Sequence, residues 1–72
     1  GDAVQIADGG VLTNVVVTGN ATTGTGLNVS GNATLTNDTV SGTTETGTGA
    51  VVSGKLTADD TTQVTGKATQ DG

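Results

Sequence analysis

No cysteine, histidine, methionine, phenylalanine, tyrosine or tryptophan occurs in these 72 residues. Each absence closes off something. Without Cys there is no disulfide framework, no thiolate metal site and no thiol nucleophile. Without His, the commonest general base and the commonest transition-metal ligand are both missing. Without aromatics or Met, the side chains that usually anchor small cores are gone, and the apolar set reduces to Val, Ala, Leu and a single Ile. Positive charge is scarce as well. Two Lys against six Asp and one Glu leave a net charge of −5, which argues against nucleic acid and anionic membrane surfaces as partners. No apolar run approaches the length of a membrane span, and the opening GDAVQIADGG has neither the basic nor the apolar part of a signal peptide, which places any export signal elsewhere in a longer precursor. A chain of this size makes at most one small domain with a thin core, so its stability has to rest on an extensive hydrogen-bond ladder or on neighbours.

What the chain does have is Thr and Gly, 17 and 13 of them, in an ordered arrangement. Residues 12–26, LTNVVVTGNATTGTG, return as LTNDTVSGTTETGTG at residues 35–49. Shifting the sequence by 23 against itself gives 17 identities in 49 pairs, where this composition yields about 7 by chance. Substitutions within the repeat keep their character: Val4, Leu27 and Ala50 form one column, Ile6, Val29 and Val52 a second, Leu12, Leu35 and Ala58 a third. In the third copy, TQVTG puts Val64 and Gly66 at a step of 24, a slip that one extra corner residue absorbs, and Gly72 returns to the step of 23.

Within each copy, apolar and small polar residues alternate over short stretches closed by Gly, Asn or Asp, which is the period of strands; the Thr, Val, Gly and Asn bias disfavours helix. Like segments recurring at one step favour parallel stacking of each segment on its own copy. The predicted fold is therefore all-β, a right-handed parallel β-helix (β-solenoid) of about three coils, roughly 1–25, 26–48 and 49–72, forming one unit about 14 Å tall. Val4, Ile6, Leu12, Val17, Leu27, Val29, Leu35, Val40, Val52, Leu56 and Val64 are expected to face inward. Both ends would be open edges, so the segment is expected to be a slice of a longer stack or to stack end to end.

The stretches TNVVVTGNATTGTGLNVSGNATLTNDTVSGTTETGTG and AVVSGKLTADDTTQVTGKAT resemble the Gly, Thr, Asn and Val repeats in the passenger stalks of bacterial autotransporter adhesins of the AIDA and antigen 43 type. The resemblance covers nearly the whole chain. It implies a secreted right-handed β-helix at the bacterial cell surface, serving adhesion, self-association or biofilm, with Ser and Thr that are glycosylated on some members. The step of 23 is longer than in many such stalks, and no translocator barrel is present. Absence of Cys agrees with threading through an outer membrane.

Candidate recognition residues are the Thr columns: Thr23, Thr46 and Thr69 at one step, and Thr25 with Thr48. Such an array suggests an ice-binding face, although Thr also simply suits an exposed parallel strand. Asn14, Asn37 and Asp60 share another column, read as a structural amide ladder in a turn that tolerates left-handed backbone. Asp38, Asp59 and Asp60 are weighed as calcium oxygens and lack the spacing of a calcium loop. Four sequons begin at Asn20, Asn28, Asn32 and Asn37, multiplied by the repeat itself. No catalytic residue, metal ligand or cofactor site is assigned, because too few carboxylates share columns to build a cleft. Three functions remain open: a structural and adhesive stalk segment outside a bacterial cell, a self-assembling amyloid-like fibre subunit, and an ice-binding module. The partners expected are further copies, through coil ends or lateral faces, and a surface glycan or host matrix; nucleic acid and membrane insertion are not.

Overall fold

The computed structural model describes residues 1–71 and contains strands and short corners, with no helix among the described residues. Seven strands follow one another: β1 (Asp2–Ala7), β2 (Gly10–Thr13), β3 (Val16–Ser30), β4 (Ala33–Thr36), β5 (Thr39–Val52), β6 (Leu56–Ala58) and β7 (Gln63–Asp71). They form two sheets, a four-stranded one in the order β1-β3-β5-β7 and a three-stranded one in the order β2-β4-β6, and every pairing is parallel. The alternation of branched apolar and small polar residues supplies the strands, since a pleated segment sends successive side chains to opposite faces.

Register follows the sequence repeat. Val4 pairs with Leu27 and Leu27 with Ala50; Leu12 pairs with Leu35 and Leu35 with Ala58; Val17 pairs with Val40; all are steps of 23. Each repeat thus lays its segments on the equivalent segments of the one before, and identical residues meet, as Gly19 meets Gly42 and Thr25 meets Thr48.

The long strands β3 and β5 are each two segments joined at a bend. Gly24 and Gly47 hold φ of 114° and 123° there, a region closed to residues with a Cβ. β1 covers the rear segment of β3, and β7 covers the front segment of β5. The two segments also face each other. A Cβ on Gly26 would stand 2.6 Å from the carbonyl oxygens of both Gly42 and Gly49, and one on Gly42 would collide with the Gly26 backbone. Backbones approach this closely only because both sides are glycine.

The core comprises Val4, Ile6, Leu27, Val29, Ala33, Leu35 and Val40, with Leu12, Val17, Leu56 and Val64 packed against it. One residue expected inside lies outside: Val52 is 49% exposed, whereas its column mate Val29 is fully buried. The cause is a missing neighbour. β7 runs over Thr39–Thr46 only, so among the described residues the rear segment of β5 is paired on its β3 side alone, and Ala50 within it is exposed too. Ala33 and Thr44, one too small and the other too polar to stand out in the sequence, are buried in the middle repeat.

The register of the third repeat also departs from expectation. The step is 24 from Thr39↔Gln63 to Thr44↔Ala68, in keeping with the slip read from Val64 and Gly66. It does not then return to 23. Past a second irregularity Thr46 pairs with Asp71, a step of 25; Gly72 lies outside the described residues.

Candidate functional site

Side-chain chemistry concentrates at the corners, where the strands stop and backbone N–H groups lose their ladder partners. After β2 and β4 the chain turns through Asn14 and Asn37, with φ of 58° and 53°. Asn tolerates this left-handed region and adds a bond between layers: Asn37 Nδ2 donates to Asn14 Oδ1 at 2.7 Å. The amide ladder stops at these two. Asp60 follows Asn37 in the sequence column, but the carboxylate that reaches Asn37 belongs to Asp59, whose Oδ1 accepts the Asn37 backbone N–H at 3.2 Å.

The third corner is longer by one residue, and Asp59 organises it. Thr62 Oγ1 donates to its Oδ1 at 2.7 Å, Thr61 Oγ1 donates to both carboxylate oxygens at 3.0 and 2.9 Å, and the Thr62 backbone N–H donates to the Asp59 carbonyl at 3.2 Å. These donors hold the Asp59 carboxyl below its ordinary value of 3.8, the Thr62 hydroxyl most strongly, then the Asn37 N–H, with loss of water working the other way and Thr61 adding to the lowering. The extra residue is stored in this turn.

Asp38 has the most enclosed carboxylate among the described side chains. It is buried, its Oδ1 accepts the Val15 N–H at 2.9 Å, its Oδ2 accepts the Thr36 N–H at 3.0 Å, and its own N–H donates to Thr62 Oγ1 at 3.2 Å. One residue of the middle repeat therefore ties the first repeat to the third. Its column reads Val15, Asp38, Thr62, which carries no periodic signature; the sequence offered it only as a calcium oxygen. In the structure the oxygens of Asp38 and Asp59 are already taken by backbone and hydroxyl donors. Asp8 and Asn32 do similar work at the other corner, accepting the Asn32 and Lys55 backbone N–H groups at 2.9 and 3.0 Å.

The Thr columns fare differently. Thr23 meets Thr46 and Thr25 meets Thr48 in neighbouring strands. Thr69 does not continue them, because the steps of 24 and 25 in the last repeat set Ala68 against Thr44 and Asp71 against Thr46. Its hydroxyl instead reaches back toward the Thr44 carbonyl at 3.5 Å. The Thr46 hydroxyl donates to the Thr22 carbonyl at 3.2 Å, and the bends at Gly24 and Gly47 interrupt each Thr-Gly-Thr, so these hydroxyls do not form a flat two-column lattice. Of the sequon amides, Asn28 donates to Asp2 Oδ2 at 3.1 Å and Asn37 to Asn14.

Among the described residues the surface has no pocket. What it presents is edge: the free sides of β1, β2 and the front of β3 at one end, and of β6, β7 and the rear of β5 at the other. No family model matches the chain, and neither does any curated protein or solved structure.

Proposed function

We propose that the chain is a three-coil, right-handed parallel β-solenoid that serves as a structural and adhesive segment of a secreted bacterial surface protein. The carrying observation is the common step of 23 in both sheets, Val4↔Leu27↔Ala50 in one and Leu12↔Leu35↔Ala58 in the other. Strands of two sheets that advance together by one repeat, with corners bonded layer to layer and front and rear segments folded face to face across Gly26 and Gly42, support a wound coil. The extents of 30 × 19 × 15 Å suit three layers about 4.8 Å apart. The adhesive role rests on the resemblance of its repeats to autotransporter stalks, and on a surface of Thr, Ser, Asn and Asp suited to glycans and polar surfaces.

The test is to display the chain on a bacterial cell that does not aggregate and to follow settling and attachment. Faster settling or stronger attachment than cells displaying a shuffled chain of the same composition is expected. Equal behaviour of the two would remove the adhesive role. A second reading, the fibre subunit, is favoured by a specific observation, the half-exposed Val52 on a segment paired on one side only. The ice-binding reading loses its third-repeat Thr with the shift of Thr69.

A further inference from the structure

Column by column, the first and middle repeats are closed and the last is open: Val4 and Ile6 are buried in the first. Leu27, Val29 and Leu35 are 1%, 0% and 1% exposed, while Ala50, Val52 and Ala58, one layer on in the same columns, are exposed. Val29 and Val52 are the same residue type, and what differs between them is the neighbour; in the other two columns Ala also replaces Leu. Each end of the stack offers three unpaired segments. Residues 2–7, 10–13 and 16–23 lie at the first-repeat end, and residues 48–52, 56–58 and 63–71 at the last-repeat end. Every pair is parallel, so a further layer on the last-repeat end must present segments running the same way in the same order. The first-repeat end of an identical chain does so.

We infer that the last-repeat end binds the first-repeat end of a second copy of this chain, in continuous register. This rests on the coil reading above and names its partner. Asp2, Val4 and Ile6 of the second copy lie on Thr48, Ala50 and Val52, Leu12 on Ala58, Val17 on Val64 and Gly19 on Gly66. Each contact repeats one already present inside the chain: Val4 on Leu27, Ile6 on Val29, Leu12 on Leu35, Val17 on Val40 and Gly19 on Gly42. Charge gives this seating one local pair and no overall attraction: the last repeat holds both lysines, Lys55 and Lys67, but also Asp59, Asp60 and Asp71, and the first holds Asp2 and Asp8. In register, Lys55 falls beside Asp8 of the second copy. The two ends differ, so the contact is head to tail and does not close on itself; copies add in a line.

A chain without cysteine allows a clean test. Asp2 and Thr48 are two layers apart within one chain, about 9.6 Å and beyond disulfide reach, but one layer apart across the inferred contact. Chains carrying Asp2→Cys and Thr48→Cys together, oxidised gently over a concentration series, are expected to give a ladder of covalent oligomers. Chains pairing Asp2→Cys with Lys67→Cys, out of register, are expected to give little. Val52→Lys, which buries a charge only on assembly, is expected to raise the concentration needed for assembly by at least about tenfold. Val51→Lys, on the opposite face of the same strand, should leave it unchanged. Equal crosslinking of both cysteine pairs would mean lateral or non-specific association and overturn the register. A chain that keeps its β circular-dichroism spectrum, yet stays monomeric and uncrosslinked, overturns the contact and leaves the coil reading standing. Loss of that spectrum at every concentration removes both.

Discussion

Asp38 shows how much one side chain can hold when the backbone around it has nowhere else to bond. Its carboxylate serves two N–H groups, from Val15 and Thr36, that belong to different repeats. Replacing it with Ala orphans both, and each buried unsatisfied group costs about 1–3 kcal/mol, so Asp38→Ala is expected to lower stability by about 2–6 kcal/mol in urea unfolding. Asp38→Asn keeps one acceptor and is expected to cost less. Asp59 is a carboxylate of the opposite kind, exposed and held by hydroxyls, with its folded value below 3.8. A depressed carboxyl stabilises the fold while ionised. Its contribution is whole above the unfolded value of 3.8 and disappears as the pH falls through the lower folded value. In acid titrations of the urea midpoint, Asp59→Asn should flatten the curve in that window and lower the midpoint near neutrality, where the parent's ionised carboxylate contributes in full.

Among the elements, the bent strands β3 and β5 set the limits of tolerance. A Cβ on Gly42 has to displace the Gly26 backbone, and neither side has a flexible group to yield. Gly42→Ala is therefore expected to cost about 3 kcal/mol or more. Gly9→Ala is the counterpart: φ of 81° strains the backbone, but no atom lies within 4 Å, and about 1–2 kcal/mol is expected. A thermal melt of the two variants against the parent separates crowding from backbone strain. These glycines also show what the sequence could tell. Leu12 with Leu35, Val17 with Val40 and Gly24 with Gly47 repeat because each pair sits in the same surroundings, so the stacking step and most of the core were readable without coordinates. Val52 was misplaced because its exposure comes from a neighbour that is missing, which no column of like residues reveals. Thr69 was misplaced because the register is set at the corners, and the turn around Asp59 is unlike the turns at Asn14 and Asn37. Asp38 stayed hidden because its column of Val, Asp and Thr has nothing in common except the backbone bonds made there.

Across the whole molecule, protection should peak in the middle. The central repeat has neighbours on both sides and holds most of the buried side chains, while the outer repeats have one neighbour each. In hydrogen exchange of dilute monomer, amides of residues 27–29 and 40–44 are expected to exchange at least about tenfold more slowly than those of residues 2–6 and 63–68. Uniform exchange would mean that the three repeats open as one unit.

The shared step of 23 residues also fixes how the molecule answers to being pulled. Tension between its two ends loads the layers one after another, like rungs of a rope ladder cut singly, and each rung that parts releases about one repeat of slack. Twenty-three residues drawn taut span roughly 80 Å. A chain held by its two ends under a force probe would thus yield in increments near that length, the one from the last repeat slightly longer because its register steps are 24 and 25, each peel leaving the remaining rungs intact.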